Sequence, residues 1–261
     1  MYRQEHIGME PRDIPLNRLY HDLAHLWPVM SPPEEYAEEA AYWRAALREA
    51  LGAGRHPILE LGVGGGHNLS HLTADFQATA VDVSENMLAH SRRLNPGVEH
   101  LVGDMRHVRL DRAFAAVLIH DAINHMLSEA DLRAAFATAA AHLEPGGVFI
   151  TSPEFLRETF HGPRAEVCTR TKGGTHLTYI EYTHDPNPAD TTLEAVFAHF
   201  ITEGGRLRVE HDRMITGIFP RSLWLRLMKE TGFTPEERVY RLASTGAEYL
   251  LLLGRLRGPS R

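Results

Sequence analysis

Cysteine is almost absent from this chain. Cys168 is the only cysteine among 261 residues, so no disulfide can form within the chain. The first residues lack the basic segment and apolar segment that together mark a secretion signal. The run YLLLLG at 249–254 is far too short to span a bilayer and predicts a buried strand. We therefore expect a soluble cytoplasmic protein without a membrane partner.

Basic runs and metal-ligand spacings are lacking as well. The 27 Lys and Arg residues are scattered among 34 Asp and Glu residues, and the net charge is -7. No stripe of cations is available for a nucleic acid, so we expect no nucleic-acid partner. His176, His184, His199 and His211 lie in a β-rich region, but their spacing fits no metal-ligand template.

Short apolar runs alternate with helical patterns between Pro57 and Phe149. This alternation predicts buried parallel strands joined by crossover helices, which is a doubly wound α/β domain with a mostly parallel sheet. Ser84 and Ser128 are the expected N-caps of two of its helices. The sequence EPGG at 144–147 is expected to end the second of these helices before the next strand.

Other patterns flank this core. Apolar residues between Tyr36 and Leu51 recur at helical spacing and predict an N-terminal helix. The segments THLTYIEYTHD, TLEAVFAHFITE and RLRVEHDRMITGIF are β-rich, with EGGR at 203–206 as a hairpin turn, and predict an antiparallel insertion. RSLWLRLMKETGF then predicts a helix, and strands near 236–241 and 248–255 would complete the main sheet.

The stretch ILELGVGGGH at 58–67 places an acid at the end of an apolar strand and follows it with glycines. It is not a dinucleotide fingerprint, because His67 stands where the third glycine should be. It is not a Walker loop either, because no Lys followed by Ser or Thr is present. Two interpretations stay open: a loop whose backbone comes close to a ligand, or a tight turn between strand and helix.

Acids also stand at the ends of the next two strands. Asp82 ends the second strand about 20 residues after the glycine loop, where a carboxylate can accept both hydroxyls of a ribose. Asp104, in GDMR, ends the third strand. No pyrophosphate-binding feature accompanies these acids, which predicts a nucleoside ligand without phosphates.

Five motifs, ELGVGGG, VDVSENML, GDMR, IHDAINHM and HLEPGGVFI, together resemble those of the class I S-adenosylmethionine-dependent methyltransferases. The resemblance covers nearly the whole chain. Within the family, residues 84–118 are similar to bacterial small-molecule N-methyltransferases, particularly those that dimethylate amino groups of nucleotide-linked sugars. The resemblance to the family implies a seven-stranded Rossmann-like sheet, S-adenosyl-L-methionine as cofactor and S-adenosyl-L-homocysteine as product.

The resemblance also implies a role for individual residues. Glu60, with the backbone of Gly62 and Gly64, would meet the amino-acid end of the cofactor, since a carboxylate suits an ammonium. Asp82 would hold the ribose. The other implied cofactor contacts are Val83 beside Asp82, Met87 under the adenine, Asp104 and Met105 at the adenine amine, His120 at the sulfonium, and the lid residues Tyr20 and Tyr36.

The acceptor side of the site is expected after the fourth strand. His125 matches a histidine that the aminosugar N-methyltransferases carry for proton transfer, and it is the predicted catalytic base. Asn124 and Glu154 are the predicted substrate-binding residues, and Glu154 lies two residues after Ser152, which replaces the family's acid at the end of the fifth strand. Asp121 could serve as one ligand in a divalent-metal O-methyltransferase. Such enzymes also need an Asp-Asn pair after the next strand, which this chain lacks, so we expect no metal.

Three functions stay open: an N-methyltransferase acting on an amine of a small molecule, an O-methyltransferase acting on a hydroxyl or carboxyl group, and a non-catalytic nucleoside-binding or oligomerising protein. A homodimer is also left open. The resemblance divides the chain into an N-terminal helical lid at 1–54, a cofactor-binding core at 55–155, an antiparallel insertion covering the acceptor site at 156–219, and a return helix with the last strands at 220–261.

Overall fold

The structure is a computed structural model in which residues 11–258 are described. Their α-helices are α1 (Trp27–Met30), α2 (Ala37–Leu51), α3 (His67–Ser70), α4 (Glu85–Leu94), α5 (Glu129–Ala141) and α6 (Arg221–Glu230). Their strands are β1 (Pro57–Leu61), β2 (Gln77–Asp82), β3 (Glu99–Val102), β4 (Phe114–Ile119), β5 (Leu143–Thr151), β6 (Arg164–Lys172), β7 (Thr175–His184), β8 (Thr192–Glu203), β9 (Arg206–Gly217), β10 (Phe233–Arg241) and β11 (Glu248–Leu256). Short 3-10 helices lie at Pro11–Asp13, Arg18–Tyr20, Ala24–Leu26, Pro33–Tyr36 and Asp121–His125.

Seven of these strands form one sheet in the order β10-β11-β5-β4-β1-β2-β3. The adjacent strands β5, β4, β1, β2 and β3 pair in parallel. Strand β11 runs antiparallel to both of its neighbours, β10 and β5. The remaining four form a separate antiparallel sheet in the order β6-β7-β8-β9. The predicted mostly parallel seven-stranded sheet with an antiparallel insertion and N-terminal helices is confirmed.

Helices cover both faces of the main sheet. β4 reads FAAVLI and is buried along its whole length, because it presents apolar side chains to both faces. On one face, Phe136 of α5 and Trp224 of α6 lie 5.9 Å apart between ring centroids. On the other, Trp43 and Leu47 of α2 belong to a second buried cluster. Because these five strands run parallel, their carboxyl ends lie at the same edge of the sheet. Sheets of this kind bind ligands at that edge.

The two N-caps are confirmed, but the predicted end of the second helix is wrong. Ser84 Oγ accepts the N–H of Met87 at 3.3 Å, and Ser128 Oγ accepts that of Asp131 at 3.1 Å. Helix α5 ends at Ala141, so EPGG at 144–147 does not stop it and lies inside β5 instead. The pairing of β4 with β5 shifts register there, and this irregularity accommodates the glycines.

The antiparallel sheet contains one strand more than the sequence predicts. Gly204 and Gly205 form the predicted hairpin turn between β8 and β9, with φ of +55° and +77°. The missed strand is β6, which reads RAEVCTRTK. Most of its side chains are exposed, so it carries no apolar alternation by which it could be recognised.

The N-terminal segment packs on the inner face of this sheet. Leu19, Leu23 and Leu26 form a buried cluster with Leu177 of β7 and Ile201 of β8. This cluster, together with the hydrogen bond from Ser84 to the carbonyl of Tyr20, places the turn at 18–20 between the antiparallel sheet and the carboxyl edge of the main sheet. The segment thereby becomes one wall of the space between the two sheets.

Candidate functional site

Three glycines after β1 have left-handed backbone conformations. Their φ angles are +74° at Gly62, +54° at Gly64 and +75° at Gly66, in a region that favours glycine. A Cβ atom at Gly62 would lie 2.2 Å from the Cβ of Ala122, and one at Gly66 would come equally close to a side chain of α4. At Gly64, the nearest atom to an added Cβ would be Met87 Cε at 3.7 Å. Packing requires glycine at the first and third positions, whereas the second borders open space.

We expect Gly62→Ala to be more damaging than Gly64→Ala. Both changes put an alanine at positive φ, which costs about 1–2 kcal/mol. Only Gly62→Ala adds a collision with Ala122, so it is expected to lower the free energy of unfolding by roughly 2 kcal/mol more. Thermal unfolding of the two variants in parallel measures this difference, and equal melting temperatures would contradict it.

Glu60 is a buried acid without a compensating partner. Its side chain lies at the carboxyl end of β1 and the residue is 2% exposed. Its Oε2 atom has no hydrogen-bond partner among the described residues. Burial raises the pKa of this carboxyl to about 8, although the nearby His120 acts in the opposite direction. Such a group is suited to receive a cationic hydrogen-bond donor that enters the site.

Asp82 lies beside the glycine loop at the end of β2. One carboxylate oxygen accepts the N–H of Gly64 and the other accepts the N–H of Ser84, both at 2.8 Å. Burial raises the pKa of Asp82, and the backbone hydrogen bonds lower it. Each oxygen keeps a lone pair for a ligand hydroxyl. The neighbouring Val83 is 66% exposed, and Met87 is buried with its Cε beside Gly64.

Asp104 already has a cationic partner. Arg106 Nε lies 3.1 Å from both of its carboxylate oxygens, and Nη2 lies 2.6 Å from one of them. The hydrogen bonds from Arg106 lower the pKa of this carboxyl. The next residue, Met105, packs its Cε against the backbone of Gly62. The adenine contacts of Asp104 and Met105 stay predictions.

His120, after β4, lies between two acids. Its Nε2 is 3.1 Å from Glu39 of α2 and its Nδ1 is 3.2 Å from Asp121. Burial lowers the pKa of His120, but the two acids together outweigh burial and raise this pKa well above its usual range. The ring lies 4.9 Å from that of Trp43 and 6.1 Å from that of Tyr36. Two acids flank one imidazolium, so this wall of the site keeps a net negative charge.

Tyr20 and His125 form a polar pair across the site. The Tyr20 hydroxyl lies 3.1 Å from His125 Nε2, and the two rings meet edge to face at 5.3 Å. Burial lowers the pKa of His125, an effect that Asp121 partly opposes. Burial also raises the pKa of Tyr20, with Asp82 contributing. At neutral pH the pair is therefore a phenol and a neutral imidazole, and the imidazole can accept a proton.

The two predicted acceptor residues contact each other. Asn124 is buried, its Nδ2 donates to the carbonyl of Asp121 at 3.0 Å, and its Oδ1 accepts the N–H of Glu154 at 3.2 Å. The residue Glu154 is exposed to solvent as a whole, but neighbouring protein surrounds its carboxyl group. Burial there raises the pKa of its carboxyl to about 8, with Asp121 and Glu181 adding to the effect. Asn124 thus positions Glu154, and acceptor binding by both residues stays a prediction.

The N-terminal helices contribute two residues that the sequence did not reveal. A Cβ atom at Gly65 would lie 2.7 Å from the indole of Trp27, so this ring covers the glycine loop. Glu39 lies on α2 and contacts His120. In the helical pattern of the sequence, its position is the one expected of a surface acid. The predicted Tyr36 lies near His120 and exchanges a hydrogen bond of 2.8 Å with Ser31. The sequence carries no local signal for either residue, because Trp27 and Glu39 contact residues that are distant along the chain.

The histidines of the insertion do not share one site. His176 and His184 lie on β7, His199 on β8 and His211 on β9. His199 is buried, stacks on Phe197 at 5.6 Å, and has a pKa that burial lowers to about 4. Across residues 11–258, no three His, Cys, Asp or Glu side chains are grouped to hold a metal ion. In the same part of the chain, no helix is long and apolar enough to cross a membrane.

Comparison with known proteins identifies a related domain and two related proteins. Residues 58–147 match the family model described as a methyltransferase domain. The chain is 30% identical over 226 residues to dTDP-3-amino-3,6-dideoxy-alpha-D-glucopyranose N,N-dimethyltransferase of Streptomyces fradiae, a match that spans 83% of each protein. It is 40% identical over 105 residues to dTDP-3-amino-3,4,6-trideoxy-alpha-D-glucopyranose N,N-dimethyltransferase of Streptomyces venezuelae, a match that spans 40% of this chain and 44% of that protein.

The fold has relatives among solved structures. The crystal structure of Streptomyces venezuelae DesVI superposes with a TM-score of 0.76 at 23% identity and covers 96% of this chain and 100% of its own. The sugar N-methyltransferase KedS8 from a Streptoalloteichus species gives a TM-score of 0.78 at 23% identity, over 91% of this chain and 92% of its own. At this identity the two structures establish a shared fold.

Proposed function

Since the chain belongs to the class I S-adenosylmethionine-dependent methyltransferases, we propose that it transfers the methyl group to an amino group of a small molecule, in particular an amino sugar carried on a nucleotide. The two curated relatives named above are N,N-dimethyltransferases of such sugars. The observation that carries the proposal is the neutral His125 beside Tyr20, in a wall that also bears Asp121 and Glu154.

The described residues fit the cofactor. Glu60 offers an unpaired buried carboxyl for the cofactor's ammonium, and the open space at Gly64 allows close approach of the methionine part. The two oxygens of Asp82 suit the two hydroxyls of the ribose. When bound, S-adenosyl-L-methionine supplies a methyl group activated by a sulfonium. The negative wall around His120, Glu39 and Asp121 suits that cation.

The acceptor side suits an amine. Asp121 gives it a negative potential that favours an ammonium over a neutral hydroxyl. Glu154, whose pKa is raised to about 8, can ionise beside such a cation. His125 stays unprotonated at neutral pH and can take a proton from that ammonium, which frees the nitrogen lone pair. The main contribution of the protein is then to hold the nitrogen in line with the methyl group, which is worth up to about 7–11 kcal/mol in well-oriented systems.

Two measurements test this proposal. Calorimetric titration with S-adenosyl-L-homocysteine should show binding at micromolar concentration, and absence of binding would reject the cofactor. Incubation with methyl-labelled cofactor and a nucleotide-linked amino sugar should place the label on nitrogen, with the matching hydroxy sugar as control. Label found only on oxygen would establish the O-methyltransferase. Binding without turnover on either acceptor would favour the non-catalytic nucleoside-binding protein.

The finer expectations on location and assembly stay predictions. A cytoplasmic location is tested by fractionation of the source cells. A homodimer is tested by light scattering, which gives the molar mass in solution and compares it with the 29.3 kDa of one chain.

A further inference from the structure

The turn Arg18–Tyr20 is held firmly by the antiparallel sheet. Asp212 of β9 is completely buried, and its two carboxylate oxygens accept the backbone N–H groups of Arg18 at 2.8 Å and Leu19 at 2.9 Å. Next to this contact, the N–H of Asn17 donates to the carbonyl of Arg213 at 2.8 Å. One end of the turn is therefore fixed to the insertion.

The other end of the turn is held by the cofactor-binding half. Ser84 Oγ donates to the carbonyl of Tyr20 at 2.6 Å, and Asn86 Nδ2 donates to the carbonyl of His21 at 3.0 Å. Ser84 is only 7% exposed, so water competes little for this hydrogen bond. Ser84, which fixes the backbone of Tyr20, lies two positions after Asp82 in the sequence.

Ser84 therefore has three contacts with different consequences. Its N–H donates to Asp82, its Oγ accepts the N–H of Met87 as the N-cap of α4, and its hydroxyl proton is given to Tyr20. Only the second is needed to start the helix. Ser128 caps α5 in the same way but gives its hydroxyl proton to Asp131, within its own helix.

We infer that Ser84 is a positioning residue that transmits the seating of the ribose at Asp82 to the Tyr20–His125 pair. The path consists of three consecutive hydrogen bonds: the N–H of Ser84 donates to Asp82 at 2.8 Å, the hydroxyl of Ser84 donates to the carbonyl of Tyr20 at 2.6 Å, and the hydroxyl of Tyr20 shares a hydrogen bond of 3.1 Å with His125 Nε2. Fixing the carbonyl of Tyr20 fixes its backbone, and hence the position from which its side chain reaches His125. This inference rests on the proposed function.

Ser84→Ala and Ser128→Ala form a matched pair for its test. Each removes an N-cap hydroxyl, so each is expected to lower the melting temperature by about 2–4 °C. Ser84→Gly is the second variant, because glycine at an N-cap costs only a few tenths of a kcal/mol and the variant stays folded without the hydroxyl. Ser84→Thr keeps the hydroxyl and serves as the rescue.

The first readout is amide hydrogen exchange of residues 18–20, with and without S-adenosyl-L-homocysteine. In the wild type, the ligand is expected to slow exchange in this turn. In Ser84→Ala and Ser84→Gly, exchange in the complex is expected to be about 5- to 10-fold faster than in the wild type, the effect of one lost hydrogen bond. The ligand Kd should change less than about 3-fold, because the backbone N–H groups of Gly64 and residue 84 still hold Asp82.

The second readout is turnover of a nucleotide-linked amino sugar. Both variants that lack the hydroxyl are expected to lose about 10-fold in kcat, whereas Ser128→Ala stays within about 2-fold of wild type and Ser84→Thr recovers most of the rate. Equal exchange and equal kcat in Ser84→Ala and Ser128→Ala, with normal ligand binding in the wild type, would overturn the inference and leave the proposed function intact. Absence of ligand binding in the wild type would overturn both.

Discussion

Replacing His125 by alanine is expected to slow methyl transfer by about 10²-fold or more, the usual contribution of a general base. Affinity for S-adenosyl-L-homocysteine should stay close to wild type, because His125 contacts Tyr20 on the acceptor side and has no bond to the glycine loop. The measurement is kcat with an amino sugar together with a calorimetric Kd for each protein.

The pH dependence distinguishes a base from a group that only orients the acceptor. Burial lowers the pKa of His125 from its ordinary value of 6.5, so the wild-type rate should stay high as the pH falls to 6.5 and decline only below it. The deficit of His125→Ala should shrink as the pH rises toward the pKa of the acceptor amine, since solvent then supplies the free lone pair. A deficit that persists at every pH, with recovery in His125→Gln, would show that the ring acts as a hydrogen-bond partner alone.

Replacing Glu60 by glutamine is expected to weaken cofactor binding and stabilise the ligand-free protein. The amide keeps the shape of the side chain but removes the charge that the cofactor's ammonium needs. We expect the affinity for S-adenosyl-L-homocysteine to fall by roughly 2–3 kcal/mol, or about 30- to 150-fold. At pH 8 the free energy of unfolding without ligand should rise by roughly 1–3 kcal/mol, because a buried carboxyl that resists ionisation is gone.

The sign of the pH effect follows from the raised pKa of Glu60. In the folded protein this pKa is about 8, against an ordinary value of 4.5, so the folded state binds the proton more tightly than the unfolded state does. The contribution of Glu60 to stability is complete below pH 4.5 and is lost as the pH rises toward 8. Binding of an ammonium favours the carboxylate, so ligand binding at pH 7 should release close to one proton.

Calorimetry in buffers of different ionisation enthalpy measures this proton release. The wild type should show a binding enthalpy that depends on the buffer, whereas Glu60→Gln should lose most of that dependence. Gly64→Ala provides a control that perturbs the same loop without changing a charge. Proton release that is the same in Glu60→Gln and the wild type would contradict the assignment of the unpaired carboxyl to the ammonium.

The main sheet could be predicted from the sequence because buried strands and capped helices have recognisable local residue patterns. β4 is apolar at every position, and Ser84 and Ser128 precede their helices where caps are expected. Strand β6 has no such pattern, since most of its side chains face solvent and its position depends on pairing with β7. EPGG at 144–147 was misinterpreted for a related reason: glycine has the same appearance in a helix stop and in a strand irregularity.

The glycine loop shows what a local pattern can and cannot separate. The sequence left two interpretations, close approach of a ligand and a tight turn, and the structure shows that the packing differs from one glycine to the next. Gly62 has no space for a side chain because Ala122 lies against it, whereas Gly64 borders open space. The sequence could not distinguish them, because Ala122 follows 60 positions later and comes near only in the folded chain. The contacts of Glu39 and Trp27 escaped prediction for the same reason.

The attachment of the N-terminal segment also has a consequence for biosynthesis. Arg18 binds Asp212, which lies 194 positions further along the chain, and Glu39 binds Tyr240, 201 positions away. At roughly 5–20 residues per second, a ribosome needs about 10–40 s to make the intervening chain. Leu19, Leu23 and Leu26 leave the ribosome long before Ile201 exists to cover them. The N-terminal segment therefore cannot dock until β8 and β9 have been made, and until then its leucines are exposed for chaperones to bind.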